Sequence, residues 1–177
     1  MKSLSNLRKI SLLANVLYLG VASILLIMIY FEKFEFELWG QVTYLRGTDI
    51  FSLNLLTQAH FLRYLLVFPI FFVSDFTGLD ANWLFSLVAF FLILSISDNI
   101  ARISCLSAEV NSENIYFILK LIILISIILL SSYMNGRVLF AIAGYSIILY
   151  NVLIWENKKI SFSRMFGTNL IGHFFVQ

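Results

Sequence analysis

Charge is what this sequence has least of. Only 12% of its 177 residues are Asp, Glu, Lys or Arg, where a soluble domain carries about 25%. Set against 60% hydrophobic residues, that deficit excludes an ordinary water-soluble domain. A net charge of +2 is too small to argue for a nucleic-acid partner. There is one cysteine, Cys105, so no internal disulfide can form, and Cys105 reads as a small residue in a loop. There is one proline, Pro69. The sequence contains no Walker loop, GxGxxG, HExxH or GxSxG motif. Its two histidines, His60 and His173, lie far apart without a CxxC or paired carboxylate, which argues against a zinc site and implies no metal or other cofactor. No internal repeat, low-complexity run or soluble domain stands out.

What the chain does have is a series of apolar runs near the length of a membrane crossing. The first, Ile10 to Phe31, follows Lys2, Arg8 and Lys9. It is longer than a signal-peptide core and ends in Tyr30, Phe31 and Glu32 without a small-residue cleavage site, so it reads as a retained helix. Three further spans are predicted over Ala81–Ser97, Ile115–Met134 and Val138–Trp155. Lys120, inside the third, is expected to snorkel to the headgroups. Asp98, Arg102, Glu109 and Glu113 mark a polar loop, and Asn135-Gly136-Arg137 a tight turn. The basic residues at the start and the Lys158, Lys159, Arg164 cluster near the other end both read as cytoplasmic, a parity that four crossings satisfy and five do not. It puts Glu32–Asp80 and Asn135–Arg137 on one external face and Asp98–Asn114 inside.

The predicted architecture is therefore all-α, a polytopic transmembrane bundle of about four spanning helices in a single membrane domain over 1–177. Between the first two spans, Tyr64–Val73 is apolar but short and is interrupted by Pro69. A re-entrant or interfacial helix is expected there; the rival is a full crossing over Phe61–Thr77, which would invert all later topology. The segment Met165–Gln177 turns apolar again, and reads either as an amphipathic helix or as the lead-in to a longer membrane protein.

Candidate chemistry concentrates between Leu45 and Pro69, where Arg46, Asp49, His60 and Arg63 fall in a chain otherwise poor in charge. A membrane-boundary arginine can anchor to lipid phosphate, or it can grip a diphosphate through its planar fork of donors. Arg63 and Arg137 are open to both readings, and both fall on the predicted external side. Asp49 can act as a general base or pair with Arg46, or simply cap a turn. His60 can share proton work near neutral pH, or sit satisfied at the interface.

These features resemble a known group. One helix leads into an external loop with Arg46-Gly47-Thr48-Asp49; Arg63-Tyr64 precedes a proline-containing apolar stretch; Asn135-Gly136-Arg137 opens a helix. With the Phe- and Ile-rich, proline-poor composition, the pattern resembles the bacterial O-antigen and capsular polysaccharide polymerases and the EpsG-like proteins. The resemblance implies an inner-membrane protein with a cytoplasmic N-terminus, which polymerises undecaprenyl-diphosphate-linked glycan units at the external leaflet beside other glycan-assembly membrane proteins. It implies that Arg63 and Arg137 bind phosphate and that Asp49 lies near the sugar. Members of these families carry many more spans, so the resemblance covers their front portion and implies an incomplete fragment. The competing reading is a small non-enzymatic membrane protein: an assembly partner, a flippase subunit or a bacteriocin immunity protein. A transporter would need charges facing a cavity within the spans.

Overall fold

A computed structural model describes residues 2–36, 61–109, 112–130 and 136–158. Five helices account for almost all of them: α1 (Lys2–Tyr30), α2 (Phe61–Thr77), α3 (Ala81–Ser107), α4 (Glu113–Leu130) and α5 (Gly136–Lys158). Four are long and apolar enough to cross a membrane, α1 through its Ile10–Tyr30 portion and α5 through Gly136–Ile154, while α2 is a shorter apolar helix. The chain is thus a multi-pass membrane protein by the length and composition of its helices.

Helix α3 is the centre of the bundle and packs against each of the other four. Its most extensive partner is α5, followed by α4; α1 packs chiefly on α4 and α2 chiefly on α3. The core follows from helical spacing. Tyr18, Ala22, Leu25 and Ile29 form one stripe of α1, and Phe85, Ala89, Ile93 and Ile96 form one stripe of α3, each recurring at three- and four-residue steps. Leu139, Phe140 and Ala143 of α5 join them, whereas α4 buries only Leu124 and Ile127. The remaining α4 surface, with Ile118, Ile122, Ile125 and Leu129, is exposed and faces lipid in a bilayer.

Two cross-helix bonds fix the relative direction of the helices. The Tyr18 hydroxyl meets Ser97 Oγ at 3.2 Å, and the Phe36 amide, beyond the end of α1, donates to Ser86 Oγ at 2.8 Å. As α1 advances, its partners in α3 recede, so the two helices are antiparallel. On α5, Phe140 lies against Phe85 and Ser146 against Asn99, so α5 runs parallel to α3. The bundle therefore has a near end, where α1 and α4 begin and α3 and α5 finish. At its far end α1 and α4 finish and α3 and α5 begin.

This geometry decides a choice that hydropathy leaves open. The segment 37–80 leaves the far end at Phe36 and returns to it at Ala81. A lone crossing by α2 would have carried the start of α3 to the other end, so the inverted topology is excluded. Helix α2 also continues through Pro69, correcting the expected interruption. Pro69 is exposed while Tyr64, Val67, Ile70, Phe71 and Ser74 are buried along the opposite stripe, so the backbone bond that proline forfeits falls on the solvent or lipid side. The outer stripe remains apolar, with Phe72 61% and Phe76 84% exposed, as suits a helix lying against or partly within lipid.

Helix ends are closed by local chemistry. Glu32 takes φ 55° and closes α1 with paired bonds from Glu32 N to Ile29 O and Lys33 N to Met28 O, a Schellman arrangement without the usual glycine. Gly78 at φ 73° ends α2, and Asp80 caps α3 by accepting from the Trp83 amide at 2.9 Å. The polar loop expected over Asp98–Glu113 is far shorter than its charges suggest. Helix α3 carries Asp98 and Arg102 on to Ser107, because each charge there has a partner within the bundle.

Candidate functional site

That partnership is the main polar feature of the described residues. Asp98 and Arg102 stand four apart on α3, on one face, and Arg102 Nε donates to Asp98 Oδ2 at 2.6 Å. From α4, Tyr116 and Lys120 are also four apart. The Tyr116 hydroxyl donates to Asp98 Oδ1, and Lys120 Nζ stands 2.9 Å from the same oxygen. From α1, the Tyr18 ring lies 4.4 Å beneath Lys120 Nζ, while its hydroxyl reaches Ser97. Arg102 in turn sits over the Tyr116 ring at 5.3 Å. Two helices thus meet on one carboxylate, and α1 joins them through Lys120 and Ser97. Asn99, next to Asp98, extends the polar layer to α5 through Ser146 at 3.3 Å.

Lys120 does not snorkel. It lies seven residues into α4, roughly 10 Å along the axis, and turns its ammonium onto Asp98 and the Tyr18 ring, leaving 18% of the side chain exposed. A headgroup would offer it one anionic contact in water. Asp98 and Tyr18 offer an ion pair and a cation–π contact where the dielectric is low and both are stronger. Ionisable groups inside spans are costly unless paired, and here the acid is fully engaged as an acceptor. Two cations share one anion, so the cluster carries one surplus positive charge.

The sequence candidates fall elsewhere. Arg46, Asp49 and His60 lie outside the described residues. Arg63 belongs to the first turn of α2, with its side chain outside the description. Arg137 opens α5 and is exposed at the far end, opposite the Asp98 cluster. Gly136 is already helical, so the expected turn over Asn135-Gly136-Arg137 contributes two residues to α5. Near the far end a groove of about 310 Å3 runs between α1 and α3, lined by Leu26, Ile27, Tyr30, Trp83 and Leu87 with no polar surface. Among the described residues no three His, Cys, Asp or Glu side chains converge as a metal site would require.

Hydropathy alone hides Asp98, because a charge that ends an apolar run reads as its boundary. The signal was nevertheless present: two i,i+4 pairs, Asp98/Arg102 and Tyr116/Lys120, flank a short connection and carry complementary groups. The chain matches no family model, no curated protein and no solved structure.

Proposed function

We propose that the chain is an inner-membrane component of surface-polysaccharide biosynthesis, with its near end in the cytoplasm and its far face holding an undecaprenyl-diphosphate-linked glycan. Arg63 and Arg137 grip the diphosphate, with Arg46 beside them, and Asp49 and His60 lie by the reacting sugar. In the transfer, an acceptor hydroxyl attacks the sugar's anomeric carbon and yields its proton to Asp49. The new glycosidic bond forms as the bond to the diphosphate breaks, and undecaprenyl diphosphate leaves.

The observation that carries this reading is sidedness. Arg137 is exposed at the far end, and the whole connection that contains Arg46, Asp49, His60 and Arg63 departs from and returns to that same end. Two arginine-bearing connections on one face can address one anionic headgroup; on opposite faces they cannot. The apolar groove in the same half suits an isoprenoid tail.

A second reading has its own support. The polar centre that the helices do build is internally paired and sits at the opposite end, as expected of a non-enzymatic membrane partner held together by an ion lock. The experiment is Arg63→Ala and Arg137→Ala, each expressed in the polymer-producing cell, with glycan chain length read on a gel. Collapse toward single repeat units supports glycan transfer. Fewer chains of normal length support the partner role, and unchanged long chains in both variants remove the arginines from the mechanism.

A further inference from the structure

The near end carries a feature that the proposed glycan site does not use. Arg102 is held rather than loose: Nε is bonded to Asp98 and the guanidinium sits over the Tyr116 ring. Its ion pair engages the Nε edge, and 47% of the side chain remains exposed. The ion pairs that Arg102 and Lys120 make within the described residues both go to Asp98, which leaves one positive charge uncompensated. Arg102 stands five residues before the end of α3, roughly 8 Å along the axis, toward the near end of the bundle. The acids near it in sequence, Glu109 and Glu113, are both exposed. The start of α1 lies at the same end.

The geometry points to an anionic-lipid site at the near end, in which the terminal amines of Arg102 take the headgroup phosphate and Asp98 and the Tyr116 ring hold the guanidinium ready for it. A pre-set planar fork suits two phosphate oxygens better than a mobile ammonium does. The surplus charge supplies the attraction, and α3 supplies the depth. This site stands independently of the glycan reading, since it lies on the opposite face.

The test uses the full chain in detergent, incubated with phosphatidylglycerol or phosphatidylcholine, with retained lipid counted by native mass spectrometry. Wild type is expected to retain phosphatidylglycerol preferentially. Arg102→Gln should lower that retention about tenfold, while Lys33→Gln, exposed at the far end, leaves it unchanged. Asp98→Asn should lower it by much less than Arg102→Gln, because the guanidinium loses its hold while the surplus charge doubles; mere loosening of the bundle would lower retention equally in both cluster variants. Equal retention of the two lipids by wild type overturns the site. So does a fall in Asp98→Asn that matches the fall in Arg102→Gln. Thermal protection by inorganic phosphate without phosphatidylglycerol retention overturns the lipid assignment.

Discussion

The two ends of the bundle are held by different physics. At the near end, charged and aromatic groups from α3 and α4 converge on Asp98 with Tyr18 of α1 packed on Lys120, and the bonds to Asp98 are short and charge-assisted. At the far end the joints are single hydrogen bonds and turns without an ion pair among the described residues: the Phe36 amide on Ser86, the Gly78 turn, the Asp80 cap and an apolar groove. Helices whose surfaces are equally apolar have little reason to prefer one partner to another in lipid, because lipid tails solvate them as well as a neighbour does. Polar contacts therefore carry the specificity of assembly. Here they are concentrated at one end, leaving the other end freer to present a face to a ligand.

The largest expected effect tests the ends themselves. With Cys105 replaced by serine, single cysteines at Glu35 and Leu79 should react with a membrane-impermeant thiol reagent from one side, and a cysteine at Ala108 from the other. Labelling of positions 35 and 79 from opposite sides would dissolve the comparison, because α3 would no longer run antiparallel to α1. Next in size is the lock. Asp98→Asn leaves Arg102 and Lys120 without their anion and should lower stability by about 2–3 kcal/mol. That is less than a fully buried pair loses on breaking, because the carboxylate is partly exposed. Lys120→Met should cost less, since Arg102 still satisfies Asp98. Thermal unfolding in detergent followed by circular dichroism reads both, and equal midpoints for wild type and Asp98→Asn would reduce the lock to decoration.

Far-end changes should be smaller. Ser86→Ala orphans the buried Phe36 amide and should cost about 1–2 kcal/mol, visible as faster hydrogen exchange at Phe36. Glu32→Gly relieves a non-glycine residue at φ 55° and should stabilise by up to about 1 kcal/mol. Arg137→Ala, being exposed, should leave the unfolding midpoint within about 0.5 kcal/mol of wild type while altering glycan chain length if the far face binds diphosphate. That separation of stability from function sharpens the contrast between the ends.

The spans were legible in the sequence because a run of apolar residues near 20 long has few other fates. Ile10–Phe31, Ala81–Ser97, Ile115–Met134 and Val138–Trp155 each fall within a helix or overlap one closely. What was not legible is how far a helix continues past its first charge. A charge at Asp98 marks Ser97 as the end of the second span, yet α3 extends to Ser107: besides Arg102 one turn on, the partners that make Asp98 acceptable within the bundle come from α4, 18 residues away and more. Lys120 turns inward instead of snorkelling for the same reason, since its partner Asp98 lies on another helix. Of the proposed glycan-site residues, only Arg137 has a described side chain, and its exposure at the far end agrees with its place beside Gly136 at a helix start.

Composition and run length by themselves determined that this protein is a helical membrane bundle with four long spans, since burying so many apolar side chains in water-facing structure is not open to a chain of this kind. Which helices touch, which run parallel, and whether Asp98 belongs to a loop or to a lock were decided only by tertiary structure. Those depend on groups distant in sequence finding one another where the dielectric is low, and a linear pattern of hydropathy does not record such pairings.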